Sequence, residues 1–173
     1  MRKKNQTSEF IKDCIADSLL ELMKNNNFDA ITIEEIIQKA GVGRTTFYRH
    51  FDEKSDILVY KFIRLYQEEK EKNPSIFSYT NVNPDNLLNF FQFIYEQRDT
   101  LNLVFMAKQD ACVYTAFKEI YFSEKEAREN TYEASFFGAG LYGVVSEWVE
   151  NGFTDSPETL TEKVLVILHK VSH

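Results

Sequence analysis

Between Lys39 and Phe51 the chain carries Arg44, Thr45, Thr46, Tyr48, Arg49 and His50 and no carboxylate. Guanidinium, hydroxyl and imidazole groups at this density are hydrogen-bond donors suited to phosphate oxygens and base edges. A solvated helix face ordinarily mixes acids among its bases, so this segment is built for a polyanion. No catalytic set accompanies it. The chain has no phosphate-cradling glycine loop, no H-E-x-x-H and no G-x-S-x-G, and its three histidines are scattered. His169 and His173 stand at i and i+4 but read as a solvated tail. Cys14 and Cys112 form no C-x-x-C or Cys/His set, which suits a reduced, cytoplasmic setting. Cys14 falls on an apolar helix stripe and reads as a packed thiol rather than a redox switch. No enzymatic activity, catalytic residue, metal or cofactor is expected.

The elements that position these donors are legible. Thr32 and Glu35 make a capping box that starts a helix at Ile33, and Ile31 is placed to staple onto Ile36. Ile33, Ile36, Ile37 and Ala40 share one face, Gly41 supplies the positive φ that ends the helix, and Val42 is expected to bury in the turn. A second helix is expected from about Arg44 to Phe51, with Phe47 and Phe51 facing inward. The helical wheel then turns Thr45, Tyr48 and Arg49 outward and places Arg44, Thr46 and His50 beside them. Two short helices around a glycine-bounded turn describe a helix-turn-helix.

Around this motif the periodicity is helical throughout, so the fold is expected to be all-α. A scaffold helix is expected over about Ser8–Asn25, with its stripe at 11, 14, 15, 18, 19, 22 and 23. Another is expected over Lys54–Lys72, ending in Glu68-Glu69-Lys70-Glu71-Lys72. Asn73–Pro84 is the one turn-rich break. Helices are expected beyond it at about 85–98, 100–107, 110–126, 131–151 and 157–171. Asn83-Pro84-Asp85 and Ser156-Pro157-Glu158 each combine a cap, a first-turn proline and an acid. With 173 residues and 43% hydrophobic content, the chain can bury a real core. Its longest run without a polar side chain other than a tyrosine hydroxyl is Phe136–Val145, too short for a bilayer. No signal peptide and no membrane partner are expected. The net charge is −7, but residues 1–54 carry nine basic and nine acidic groups, so all the excess acid lies beyond the motif. Local charge governs phosphate contact.

The pattern Ile31-Thr32-Ile33-x-x-Ile36-x-x-x-Ala40-Gly41-Val42-Gly43-Arg44-x-Thr46-Phe47-Tyr48-Arg49-His50-Phe51-x-x-Lys54-x-x-Ile57-Leu58 resembles the TetR family of bacterial transcriptional regulators. The family commonly has Ser where this chain has Gly43, and often Gly where it has Thr45, which changes what the second helix can read. The resemblance implies a three-helix DNA-binding head over residues 1–53 and a helical effector-binding and dimerisation body over 54–173. The contact surface is then Thr45, Tyr48 and Arg49 toward the bases, with Thr32, Thr46, His50 and Lys54 toward phosphate, and Gly43 and Arg44 are DNA-binding candidates beside them.

In this family the body generally holds an inducer. The body here is rich in aromatic residues, and Phe93, Asn102, Phe105, Tyr114, Phe117, Tyr121 and Phe136 are the candidates for a pocket lining, although a bulky core explains such residues as readily. The last two helices of the family usually pair in a dimer. Phe137, Leu141, Gly143, Val144, Trp148, Val164, Leu165 and Leu168 are the interface candidates, with Trp148 open to a second reading as monomer core. Glu147-Trp148, Asn151-Gly152 and Ser156-Pro157-Glu158 are similar to the subgroup containing the dihydroxyacetone kinase gene activator. The expected protein is therefore a homodimer on double-stranded palindromic operator DNA. It is expected to be a repressor released by a small apolar or aromatic inducer, or alternatively a regulator controlled by a protein co-regulator.

Overall fold

The computed structural model describes residues 2–73, 83–123 and 131–171. Among them the secondary structure is helical: α1 (Arg2–Met23), a 3-10 turn (Phe28–Ala30), α2 (Ile33–Ala40), α3 (Arg44–Tyr48), α4 (Lys54–Lys72), α5 (Pro84–Glu96), α6 (Arg98–Met106), α7 (Asp110–Ser123), α8 (Thr131–Glu150) and α9 (Pro157–Val171). Met1, residues 74–82 and 124–130, Ser172 and His173 lie outside the described residues.

The N-terminal helix begins at Arg2, earlier than its apolar stripe suggests, and ends at Met23. Its end is closed by Asn26, whose side-chain amide donates to the Leu22 carbonyl at 2.8 Å, while Asn27 caps the following turn by accepting from Asp29 N–H at 3.0 Å. Such local side-chain bonds offer the backbone an alternative to helix continuation. Ile15, Leu19 and Met23 from α1 pack with Phe28, Ile31, Ile36, Phe47 and Phe51, so the head is organised around apolar residues from every one of its elements. Val42 is only half-buried, because the turn crosses the edge of this cluster and not its centre.

α4 joins the two halves. It packs on α1 at one side and on α7 at the other, and α7 in turn packs on α8. Its start is a capping box in which the Asp56 carboxylate accepts from the Asp52 and Glu53 N–H groups, each at 2.9 Å. A division at residue 53 thus gives the body a helix that the head also uses. In the body, α9 packs on α5 and α6 on α8. Asn83 caps α5 by accepting from Asn86 N–H at 2.9 Å, and Ser156 caps α9 by accepting from Thr159 N–H at 3.2 Å.

Trp148 is 3% exposed and sits inside the monomer, stacked on Tyr95 and edge-on to Phe91 and Phe153. Its indole N–H donates to the Asp155 carbonyl at 3.0 Å. Trp148 thus takes the monomer-core reading, and Leu141 and Val164 are also buried in the monomer, although Trp148 and Val164 still border the groove between α8 and α9. Gly152 and Phe153 both adopt positive φ, at 66° and 55°, to reverse the chain after α8. A phenylalanine tolerates this costly conformation because its ring is packed against Tyr95 and Trp148.

Candidate nucleic-acid interface and effector cavity

The helix-turn-helix is built by bonds its own sequence supplies. Thr32 accepts from Glu35 N–H at 3.2 Å while the Glu35 carboxylate accepts from Thr32 N–H at 2.7 Å. Gly41 ends α2 with φ 66°, the left-handed conformation that glycine adopts without steric cost. Gly43 then caps α3 through its backbone alone. The second helix stops at Tyr48, shorter than expected, and the chain closes with tight bonds from His50 N–H and Phe51 N–H to the Phe47 carbonyl at 2.9 and 3.0 Å. Phe47 and Phe51 stay buried, so the inward face is kept although the regular helix is not.

Outward, Thr45, Tyr48 and Arg49 are exposed, with Tyr48 at 46%, and Thr46 and His50 are half-buried beside them. Arg44 lies over the Tyr48 ring at 5.8 Å and pairs with Glu34 of α2 at 2.6 Å. Both partners of that pair are about 60% exposed. An ion pair in such a position is worth little and is exchangeable for a phosphate. Glu34 is the carboxylate that inspection of residues 39–51 misses, since it lies on the preceding helix. His50 has its pKa lowered below the ordinary histidine value by burial first, then by Lys12 and Arg49.

Two of the expected phosphate contacts are already committed. Lys54 donates to the carbonyls of Phe28, Asp29 and Ile31 at 2.7, 3.3 and 2.6 Å, and its ammonium also lies 4.7 Å from the Phe28 ring centre. All three of its protons are engaged, so Lys54 clamps the turn between α1 and α2 and is not a free phosphate donor. Thr32 is similarly occupied. Its hydroxyl donates to the Glu35 carboxylate at 2.8 Å, which also takes its N–H.

In the body, Phe62, Tyr66, Phe90, Phe93, Ile94, Gln97, Leu101, Phe117 and Ile120 line an apolar cavity of about 30 Å³. That is room for one or two waters, far below the size of small-molecule sites. Of the expected lining, Phe93 and Phe117 are present. Asn102, Phe105, Tyr114 and Phe136 are not, because their positions on α6, α7 and α8 turn them elsewhere. Tyr114 packs edge-on to Tyr142, and Phe136 is 59% exposed. The Tyr121 side chain lies outside the described set. Phe62 and Tyr66 of α4, absent from that expectation, complete the wall; helical period marks them as core but cannot show that a void adjoins them.

Between α8 and α9 runs an open groove of about 530 Å³ bordered by Gly140, Gly143, Val144, Glu147, Lys163 and Ile167. A Cβ placed on Gly140 or Gly143 would meet nothing within 4 Å, so packing inside the monomer does not demand glycine at either position. Phe137, Val144, Leu165 and Leu168 are half-buried, and Val166 and Ile167 are exposed.

Comparison with known proteins matches residues 15–60 to the family described as bacterial regulatory proteins, tetR family, and residues 83–170 to a transcriptional regulator C-terminal region. No curated protein sequence matches the chain. Among solved structures, the dihydroxyacetone kinase operon activator DhaS is similar with a TM-score of 0.57 and 18% identity, over 92% of this chain and 94% of that one. At that identity the likeness is one of fold.

Proposed function

The chain belongs to the TetR family of bacterial regulatory proteins, and from that premise we propose that it is a homodimeric repressor of palindromic operator DNA, released by a small apolar or aromatic inducer. The observation that carries the DNA contact is the outer face of α3, where Thr45, Tyr48 and Arg49 stand exposed. Those three read bases, while Arg44, Thr46 and His50 meet phosphate and Gly43 admits close approach of the DNA backbone. Lys54 and Thr32 hold the scaffold. Two such heads, one helical turn of DNA apart, supply the specificity that one short helix lacks.

Dimerisation is assigned to the α8–α9 face. The unneeded glycines at 140 and 143 permit a partner helix to approach closely. Ligand control is assigned to the body cavity because α4 lines it with Phe62 and Tyr66 and also carries the contacts to α1. A ligand entering there must part the phenylalanine rings and displace α4, and with it the heads. A hundredfold change in DNA affinity needs about 3 kcal/mol of differential binding.

The small volume of the cavity favours a second reading, in which a protein co-regulator supplies that energy instead. Footprinting on DNA upstream of the protein's own gene tests the DNA assignment, with a protected palindrome expected. A thermal-shift screen of apolar ligands, followed by DNA titration with each hit, separates the two modes of control. Stabilisation by a co-purifying protein and by no small molecule would favour the second.

A further inference from the structure

Lys12 lies on α1, outside the helix-turn-helix, yet it borders the same open cleft of about 500 Å³ as Tyr48, Arg49 and His50. The fold brings them together because α1 packs across both α2 and α4. The Lys12 ammonium sits 4.5 Å from the centre of the Tyr60 ring. That ring is itself held by a hydroxyl bond to Asp13 at 2.7 Å and an edge contact with Phe51 at 5.6 Å. The position of the charge is thus set by packing, and the face of the ammonium turned away from the ring retains its donors.

The charge is also not consumed. Among the described residues, neither Lys12 nor Arg49 forms an ion pair. Burial first, and then both of these charges, oppose protonation of His50. The remaining charged groups on the cleft are Asp52 and Asp56 at the start of α4 and Glu119 on α7, and Tyr60 is its other titratable neighbour. Asp56 is occupied by the backbone N–H groups of Asp52 and Glu53, and Asp52 and Glu119 are exposed. Mutually repelling cations held beside a recognition helix are relieved by an anion.

We propose that Lys12 and His50 form a clamp for a DNA backbone phosphate at the end of the recognition helix, beside the base-reading Arg49, with Lys12 supplying its contact from outside the helix-turn-helix. The clamp rests on the DNA-binding reading above. It explains how a helix as short as α3 is held in register, since a phosphate gripped from two elements fixes orientation as well as distance.

The test measures binding of the full chain to a mixed-sequence duplex several helical turns long, across a salt series, for wild type, Lys12→Gln and Lys12→Arg. Each lost phosphate contact lowers the magnitude of the slope of log K against log salt by about 0.9, so Lys12→Gln should lose about one unit per bound protomer, equally on every sequence. Lys12→Arg should restore it. Wild-type binding with an unchanged slope in Lys12→Gln would overturn the clamp and leave the DNA-binding reading standing, as would a lower melting temperature with the slope intact, which marks mere packing on Tyr60. Failure of Lys12→Arg to restore the slope would also overturn it. Failure of the wild type to bind any duplex would remove both readings.

Discussion

The hydroxyl of Tyr60 on α4 donates to the carboxylate of Asp13 on α1 at 2.7 Å, joining the helix that lines the body cavity to the scaffold helix of the head. Lys61 and Asp17 repeat the link one turn along at 2.8 Å. Tyr60→Phe keeps the ring contacts and removes the bond. Its expected cost is about 1 kcal/mol of stability, together with a smaller change in DNA affinity when the body is liganded. Chemical denaturation checks the first effect and DNA titration with and without ligand the second. Unaltered coupling would mean that α4 moves the head through apolar packing alone.

Lys54→Met should destabilise the fold by about 2 kcal/mol, because three backbone carbonyls lose a charged donor. It should leave the salt slope of DNA binding near wild type. A normal melting temperature with a reduced slope would restore Lys54 to the phosphate contacts.

Arg49→Ala should cost about 1–3 kcal/mol of operator binding and relax discrimination at one base pair. Competition among operator variants carrying single substitutions measures it. An equal loss on all sequences would place Arg49 wholly on phosphate.

His50 has a folded-state pKa below its unfolded value, so the unfolded chain binds more protons in the interval between them. Its contribution to stability is then present above the unfolded pKa and is lost as pH falls through that value toward the folded one. DNA reverses the preference, since a phosphate favours the charged imidazole. Operator binding should therefore take up a proton and tighten as pH falls from about 7.5 to 6. His50→Gln should flatten that dependence; a dependence of full size in the variant would assign it to another group.

Trp148→Ala should destabilise the monomer by about 3–5 kcal/mol by opening a cavity among Phe91, Tyr95 and Phe153. Gly143→Leu should leave the monomer folded and abolish the dimer, as read by sedimentation. Dimers persisting in Gly143→Leu would move the interface away from the α8–α9 groove.

What the sequence determined by itself is local. The capping box at Thr32 and Glu35, the left-handed Gly41, the starts at Asn83-Pro84 and Ser156-Pro157, and the inward Phe47 each depend on partners within a turn or on helical period, so residue identity and spacing suffice. Tertiary structure decided the rest. The partners of Lys54 lie 23 to 26 residues upstream, and Glu34 reaches Arg44 across the turn between two helices. Lys12 shares a cleft with His50 only because α1 packs across α2 and α4. On α8, apolar residues occupy both faces, from Phe136 and Phe137 through Leu141, Val144 and Val145 to Trp148 and Val149. Periodicity cannot choose an inward side on such a helix. Packing made the choice, burying Trp148 against Phe91 and Tyr95 of α5 and against Phe153, and leaving Gly140 and Gly143 outside.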